Sequence, residues 1–343
     1  VKYFTKPELT VQQASAALGQ ITQIFALIQP HLDAAEAAVH AQTERFDPAI
    51  RGYVMYACQT QGKRLRPALA LLSAGATGEI SERHEKLAVI LELVHLATLV
   101  HDDILDGAEI RRDQPTANAR WGSTISVLLG DCLFAHALEL ATQFEDAEIS
   151  RRIARASSAV CTGEILQTQR RFDLNLGVAE YYRIIELKTA ALFGAAAELG
   201  ACLNHVEPAT AAALKTYGLK IGVAYQVYDD LLDLAGDETA AGKTLGTDLK
   251  KGKLTLPMLE LLQAAQNGQH EHLTRMILRG EEADLRGLRE AARDAGAIDA
   301  AARAGCELIE EGVQQLEVLP ASLYREAMAA LGQRLGAMLM EIV

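Results

Sequence analysis

Aromatic side chains are scarce in this chain: they make up 5% of its 343 residues, with a single tryptophan. Ala, Leu, Glu, Gln and Arg recur instead, the residues that lose least on entering a helix. No run of alternating β-branched residues persists long enough to suggest a sheet. Positive charge is also in deficit, 33 Lys and Arg against 45 Asp and Glu, for a formal charge of −12. Without a basic stripe or interleaved aromatics to offset that balance, no nucleic-acid partner is expected. The five cysteines, Cys58, Cys132, Cys161, Cys202 and Cys306, lie far apart and lack the paired spacing of a zinc site or a disulfide framework. They are expected as small core residues in a reducing compartment. No charged-then-apolar leader opens the chain, and no uninterrupted apolar run approaches the roughly 18 residues of a membrane span. The expectation is a cytoplasmic protein without a transmembrane segment.

Half of the residues are apolar, enough for one large core. They recur at helical spacing, punctuated by Gly, Pro and Asp/Asn clusters, which predicts an all-α protein with a single domain over residues 1–343. Two stretches, Lys86–Leu105 and Ala211–Leu234, are apolar nearly all round and should be central helices. Both end in aspartates, "HDDILD" and "YDDLLD", as if two halves presented matching helix ends. From about Gln263 the chain is more charged and amphipathic, with a turn expected at "NGQH", and reads as covering helices.

In the first acidic knot Asp102 and Asp106 are four apart, with Asp103 three before Asp106; on a helix such carboxylates project to one side. Asp229, Asp230 and Asp233 repeat the spacing. Three like charges at a helix C-terminus repel one another and oppose the macrodipole, so a cationic partner is expected. Oxygen ligands without His or Cys favour a hard ion, and magnesium takes one or two carboxylates plus phosphates and water. A lone DDxxD could be a solvated helix end. Two copies, each after an unusually apolar helix and each followed by basic residues, point to a site with two or three magnesium ions.

The basic residues supply the other half. Arg111 and Arg112 follow the first knot, "GKRLRP" contributes Lys63, Arg64 and Arg66, and "GKTLGTDLKKGKLTLP" contributes Lys243, Lys250, Lys251 and Lys253. Arginine forks suit phosphate oxygens and glycine lets backbone approach them. Any one cluster could be a surface patch, and "GKRLRP" lacks the P-loop spacing. Together with the knots they describe a pocket for two diphosphates, one held through metal and one by direct cationic contact.

With "GKRLRP", "HDDILDGAEIRR", "GEILQ", "ELKTA", "YQVYDDLLD" and "GKTLGTDLKKGKLTLP" in this order, the stretch from about Gly62 to Pro257 resembles the trans-isoprenyl diphosphate synthases, or polyprenyl synthetases. The resemblance implies an antiparallel helical bundle around a central elongated cavity, usually a homodimer, joining isopentenyl diphosphate to an allylic prenyl diphosphate. It assigns Asp102, Asp103, Asp106, Asp229, Asp230 and Asp233 to magnesium. Arg111, Lys188, Thr189, Gln226 and Lys243 match the contacts to the allylic diphosphate, with Lys253 as an addition. Lys63, Arg66, His95 and Arg112 match the isopentenyl diphosphate pocket. Gln61 and Tyr225 depart from the family's usual glycine and phenylalanine; Tyr225 adds a hydroxyl that needs a partner if buried.

In the implied reaction the allylic C–O bond ionises, isopentenyl diphosphate adds through its double bond, and a proton is lost, with the released diphosphate as the family's favoured base. A carbocation needs a dry surround, which the apolar helix before Asp102 would offer. Ala97 and Thr98, one turn before the knot, are small where short-chain members commonly carry a bulky aromatic, so a product longer than fifteen carbons is expected, in the thirty-to-fifty range. The alternatives are a short-chain synthase, a class I terpene cyclase, for which the aromatics are too few and the second cationic pocket has no purpose, and a non-catalytic partner subunit, which would typically lack one knot.

Overall fold

The computed structural model describes residues 24–59, 62–112, 114–236 and 246–343. Helices α1 (Gln29–Gln42), α2 (Arg51–Cys58) and α3 (Leu65–Thr77) lead into α4 (Glu82–Leu105). After a short ribbon come α5 (Ala117–Ala141), α6 (Ala147–Gln169), α7 (Val178–Ile185), a π-helical turn (Glu186–Ala190), α8 (Ala191–Cys202) and α9 (Pro208–Ala235). The chain closes with α10 (Thr247–Lys250), α11 (Leu256–Ala264), α12 (Asn267–Arg279), α13 (Glu282–Asp294), α14 (Ala297–Gln314) and α15 (Leu323–Met340).

Helix α4 starts where Ser81 and His84 form a reciprocal cap, the Ser81 amide donating to His84 Nδ1 at 3.0 Å; histidine takes the place that glutamate often fills in such a box. Beyond it Leu87, Ala88, Ile90, Leu91, Leu93, Val94 and Ala97 are all fully buried. Burial on every side is what a helix apolar all round requires, and each large aliphatic side chain so removed from water contributes roughly 1.5–3 kcal/mol. Helix α4 packs along α5, and α9 lies between α8 and α14. The two helices expected to be central are therefore central, and both deliver their aspartates to one end of the bundle.

Two local expectations change. Between Asp106 and α5 the chain forms a two-residue antiparallel ribbon, β1 (Ile110–Arg111) against β2 (Gln114–Pro115), with Arg111 opposite Gln114. "NGQH" opens α12 instead of forming a turn, because the first amides of a helix need no intrahelical acceptor and tolerate turn-type residues. Helix α5 has the length and mean hydropathy of a membrane span, although it packs along α4 with Leu129, Leu133, Ala137 and Leu140 buried.

Candidate active site at the end of helix α4

At 3.6 residues per turn, Asp102 and Asp106 stack along one line of α4, and Asp103 points about 100° away. The structure separates them accordingly, so the first knot does not present one face. Asp103 is buried and accepts from Arg111 Nε at 2.7 Å. Asp106 is met from the other direction by Arg171 and Lys253, each at 3.0 Å, and by Lys251 at 3.4 Å. Burial pushes all three carboxyls upward, but Lys253 and Lys251 bring Asp106 below the usual carboxylate range. Asp102 has no such direct bond among the described residues; burial takes its pKa up to about 6, with Glu164 and Asp106 adding to the rise and Lys188 opposing it.

The second knot divides the same way. Asp230, on α9, is buried and accepts from Tyr181 Oη at 2.6 Å and Gln226 Nε2 at 2.8 Å; burial, then Asp248, drive its pKa up to about 8 against those two donors. Asp233 accepts from the Thr247 hydroxyl at 3.1 Å and the Asp248 amide at 3.1 Å, so it caps α10. Asp229 is half-buried. Each knot thus has two carboxylates bonded to protein donors, Asp103 and Asp106 in the first and Asp230 and Asp233 in the second.

Lys188 and Thr189 sit on consecutive residues of the π turn. Lys188 pairs with Glu164 and donates to Gln167 Oε1 at 2.7 Å. Burial alone would lower its pKa, but Asp102 and Glu164 outweigh it and keep the ammonium charged. Thr189 donates to Gln226 Oε1 at 2.7 Å. The lysine's field on Asp102 and Asp106 ties the π turn to the first knot.

A second cationic group lies on the side of Tyr225 and Phe193. Arg66 is stacked over Phe193, 4.7 Å from the ring centroid, and has no carboxylate within ion-pair distance among the described residues; burial lowers its pKa. Lys63 Nζ lies 3.5 Å from Tyr225 Oη and 5.4 Å from that ring's centroid, which gives the unusual tyrosine hydroxyl its partner. His95 is held well below the ordinary imidazole range, first by burial and then by Arg66, Arg112, Arg111 and Arg64, and is therefore neutral. A cavity of about 360 Å³ on this side combines Leu96 and Leu99 of α4 with Tyr56, Asp103, Arg111 and Arg112. Arg64 has left the cluster: as the left-handed residue before α3, φ 51°, it turns to Glu92 and, at 3.2 Å, to Glu36.

Ala97 is fully buried and Thr98 is partly exposed, its hydroxyl donating to the His95 carbonyl at 2.7 Å. Lys243 and Gln61 lie outside the described residues. Sequence reading missed Tyr181, Glu164, Gln167 and Arg171. Glu164 and Gln167 stand inside the quoted motif "GEILQ" and could have been marked there; Tyr181, 49 residues from Asp230, carries no sequence signal.

Lys253 links the two acidic helix ends, reaching Asp106 at 3.0 Å and Asp248, whose amide binds Asp233, at 3.8 Å, with a separate cationic group at Tyr225 and Phe193. The polyprenyl synthetase sequence profile matches residues 47–293. The chain belongs to the polyprenyl synthetase family. Among curated relatives of this polyprenyl synthetase is the all-trans-nonaprenyl-diphosphate synthase (geranyl-diphosphate specific) of Rhodobacter capsulatus, 37% identical over 79% of this chain and 83% of that protein. The octaprenyl diphosphate synthase of Escherichia coli strain K12 is 34% identical over 79% of this chain and 84% of its own length. Among solved structures, the polyprenyl synthase of Caulobacter crescentus CB15, crystallised with calcium and isoprenyl diphosphate, superposes with a TM-score of 0.86 at 36% identity, covering 92% of this chain and 97% of that one.

Proposed function

We propose that this polyprenyl synthetase condenses isopentenyl diphosphate with an allylic prenyl diphosphate, head to tail and in trans geometry, to a product longer than fifteen carbons, in the thirty-to-fifty range. The observation that carries the reading is the division at the end of α4. Asp102 and Asp106 lie in the field of Lys188 on the π turn, and Asp106 bonds Arg171 and Lys253, whereas Asp103 bonds Arg111, and Lys63, Arg66 and Arg112 form a second cationic group about Tyr225 and Phe193 with His95 in its field. Two diphosphates need two such places, and a cyclase needs one. The chain length follows the named relatives and the small side chains at Ala97 and Thr98. The whole chain is read as one domain acting as a homodimer.

The donor set fits magnesium. The carboxylates are hard oxygen ligands, the class of donor that magnesium takes. Among the described residues no three His, Cys, Asp or Glu side chains gather into a ready cage, which suits an ion that completes its shell with phosphate oxygens and water. Asp102, Asp103 and Asp106 at the end of α4, with Asp229, Asp230 and Asp233 on α9, would hold it. Bound magnesium would neutralise charge developing on the departing diphosphate.

Lys188, Thr189, Gln226 and Lys253 hold the allylic diphosphate, with Lys243 as a further contact implied by the family resemblance. Arg111, bonded to Asp103, stands between the two sides. When the allylic C–O bond breaks, its electron pair leaves with the diphosphate, and the positive charge is placed on carbon. The buried aliphatic wall of α4 keeps water from that cation. Lys63, Arg66 and Arg112 orient isopentenyl diphosphate so that its double bond supplies the electrons of the new C–C bond; neutral His95 can accept or donate a hydrogen bond there without repelling the cations. Loss of a proton to the released diphosphate completes the step.

Incubating the purified chain with isopentenyl diphosphate, magnesium and allylic starters of ten, fifteen or twenty carbons should give linear prenyl diphosphates of defined length with release of diphosphate. Cyclic hydrocarbon, or binding without turnover, would contradict the proposal.

A further inference from the structure

Two features play no part in the condensation as described: the motif "GEILQ" on α6, and the fact that Lys188 and Thr189 stand on a π turn. A π turn breaks helical regularity and is found disproportionately at functional sites. This one is gripped from both sides. On α6, Gly163 leaves no room for a side chain: a Cβ there would lie 2.7 Å from Lys188 Cα and 2.9 Å from the Leu187 carbonyl carbon. Four residues on, Gln167 accepts from Lys188 Nζ at 2.7 Å. On α9, a Cβ at Gly222 would lie 2.6 Å from Ala190 Cα and 2.8 Å from Ala190 Cβ. Four residues on, Gln226 accepts from Thr189 Oγ1 at 2.7 Å and donates to Asp230 at 2.8 Å.

The two grips share one form, "GEILQ" and "GVAYQ". A spacing of four places glycine and glutamine on the same face of a helix, one turn apart. The glycine lets the helix touch the backbone of the turn, and the glutamine takes the side chain that the turn presents. Backbone atoms on both sides of the contact give way far less readily than the end of a flexible side chain. The same motif supplies Glu164, which pairs with the ammonium, while the neutral amide of Gln167 fixes its direction without adding charge.

We propose that Gly163 and Gln167 are positioning residues of the allylic site, forming with Gly222 and Gln226 a paired Gly-x-x-x-Gln clamp that fixes the π turn and, through it, Lys188 and Thr189. This assignment rests on the reading of Lys188 and Thr189 as ligands of the allylic diphosphate. The α9 half also adjoins the other cations, since Gly222 lies against Phe193, which carries Arg66; Gly163 and Gln167 on α6 contact Leu187 and Lys188 of the turn, so loss of the α6 half should separate the two substrates.

The test is steady-state kinetics with each substrate varied in turn, for the parent, Gly163→Ala and Gln167→Leu, alongside far-ultraviolet circular dichroism and thermal midpoints. Both variants should raise KM for the allylic substrate about tenfold or more, as displacement of a binding group by a fraction of an ångström implies, with KM for isopentenyl diphosphate within about twofold of the parent. Should Gly163→Ala fail to fold, Gln167→Leu, which leaves the backbone contact intact, decides alone. An unchanged allylic KM in Gln167→Leu, or an equal rise in both KM values, would overturn the clamp while leaving the condensation reading in place. A folded parent that forms no product would overturn that reading and the assignment with it.

Discussion

A residue's chemistry at this site is set by the partners the fold brings to it. His95 would alone read as an ordinary core histidine; burial and four arginines hold it neutral. The sign of its pH effect follows. The unfolded chain takes up a proton near the ordinary value of 6.5 and the folded protein does not, so the contribution of His95 is complete above that value and is lost as pH falls toward the depressed folded pKa. The parent should therefore lose stability between about pH 7.5 and 5 more steeply than His95→Gln, by up to roughly 1.4 kcal/mol per pH unit below the unfolded pKa. Urea midpoints across that range check it, and parallel slopes would reject it. The identity of the six aspartates was legible in the sequence, because spacing and helix context are local. Which of them are already bonded was not: Asp230 depends on Tyr181 and Asp233 on Thr247, partners that no local pattern predicts.

Among the elements, α4 and α9 were the most legible, since a helix buried all round leaves an apolar run that helical periodicity can place. The ribbon of Ile110–Arg111 and Gln114–Pro115 was not, as two residues per strand carry no period, and neither was the π turn, whose sequence is ordinary helix. Arg64 shows the same limit within a motif: three cations look alike in "GKRLRP", yet a left-handed backbone turns the middle one toward Glu92. Helix α4 also carries the length expectation. If it is the wall along which the product grows, Ala97→Phe should yield shorter prenyl diphosphates at comparable total turnover of isopentenyl units, read by chromatography of the dephosphorylated products; an unchanged length distribution would remove Ala97 from that role. Ala97 is fully buried, so a large ring there must displace neighbours, and a loss of stability of roughly 1–3 kcal/mol should accompany the change.

For the molecule as a whole, composition already indicated the helical class and argued against nucleic acid, because both depend on sums over the chain. The assembly was less legible, since exposure is a property of the folded surface. Val127 and Leu128 on α5 and Ile165 on α6 remain 43%, 55% and 59% exposed, and they are the side chains to test as a contact in the proposed dimer. Leu128→Glu should sediment as a monomer at concentrations where the parent is dimeric; an unaltered sedimentation profile would move the interface elsewhere. The central claim is that the end of α4 separates two diphosphate sites. It is tested most directly by equilibrium binding, in magnesium, of isopentenyl diphosphate and of an unreactive thio analogue of an allylic diphosphate to Arg66→Leu and Lys188→Leu. The account predicts that Arg66→Leu weakens isopentenyl diphosphate about tenfold or more while sparing the allylic analogue, and that Lys188→Leu does the reverse. Equal weakening of both ligands by either variant would contradict it.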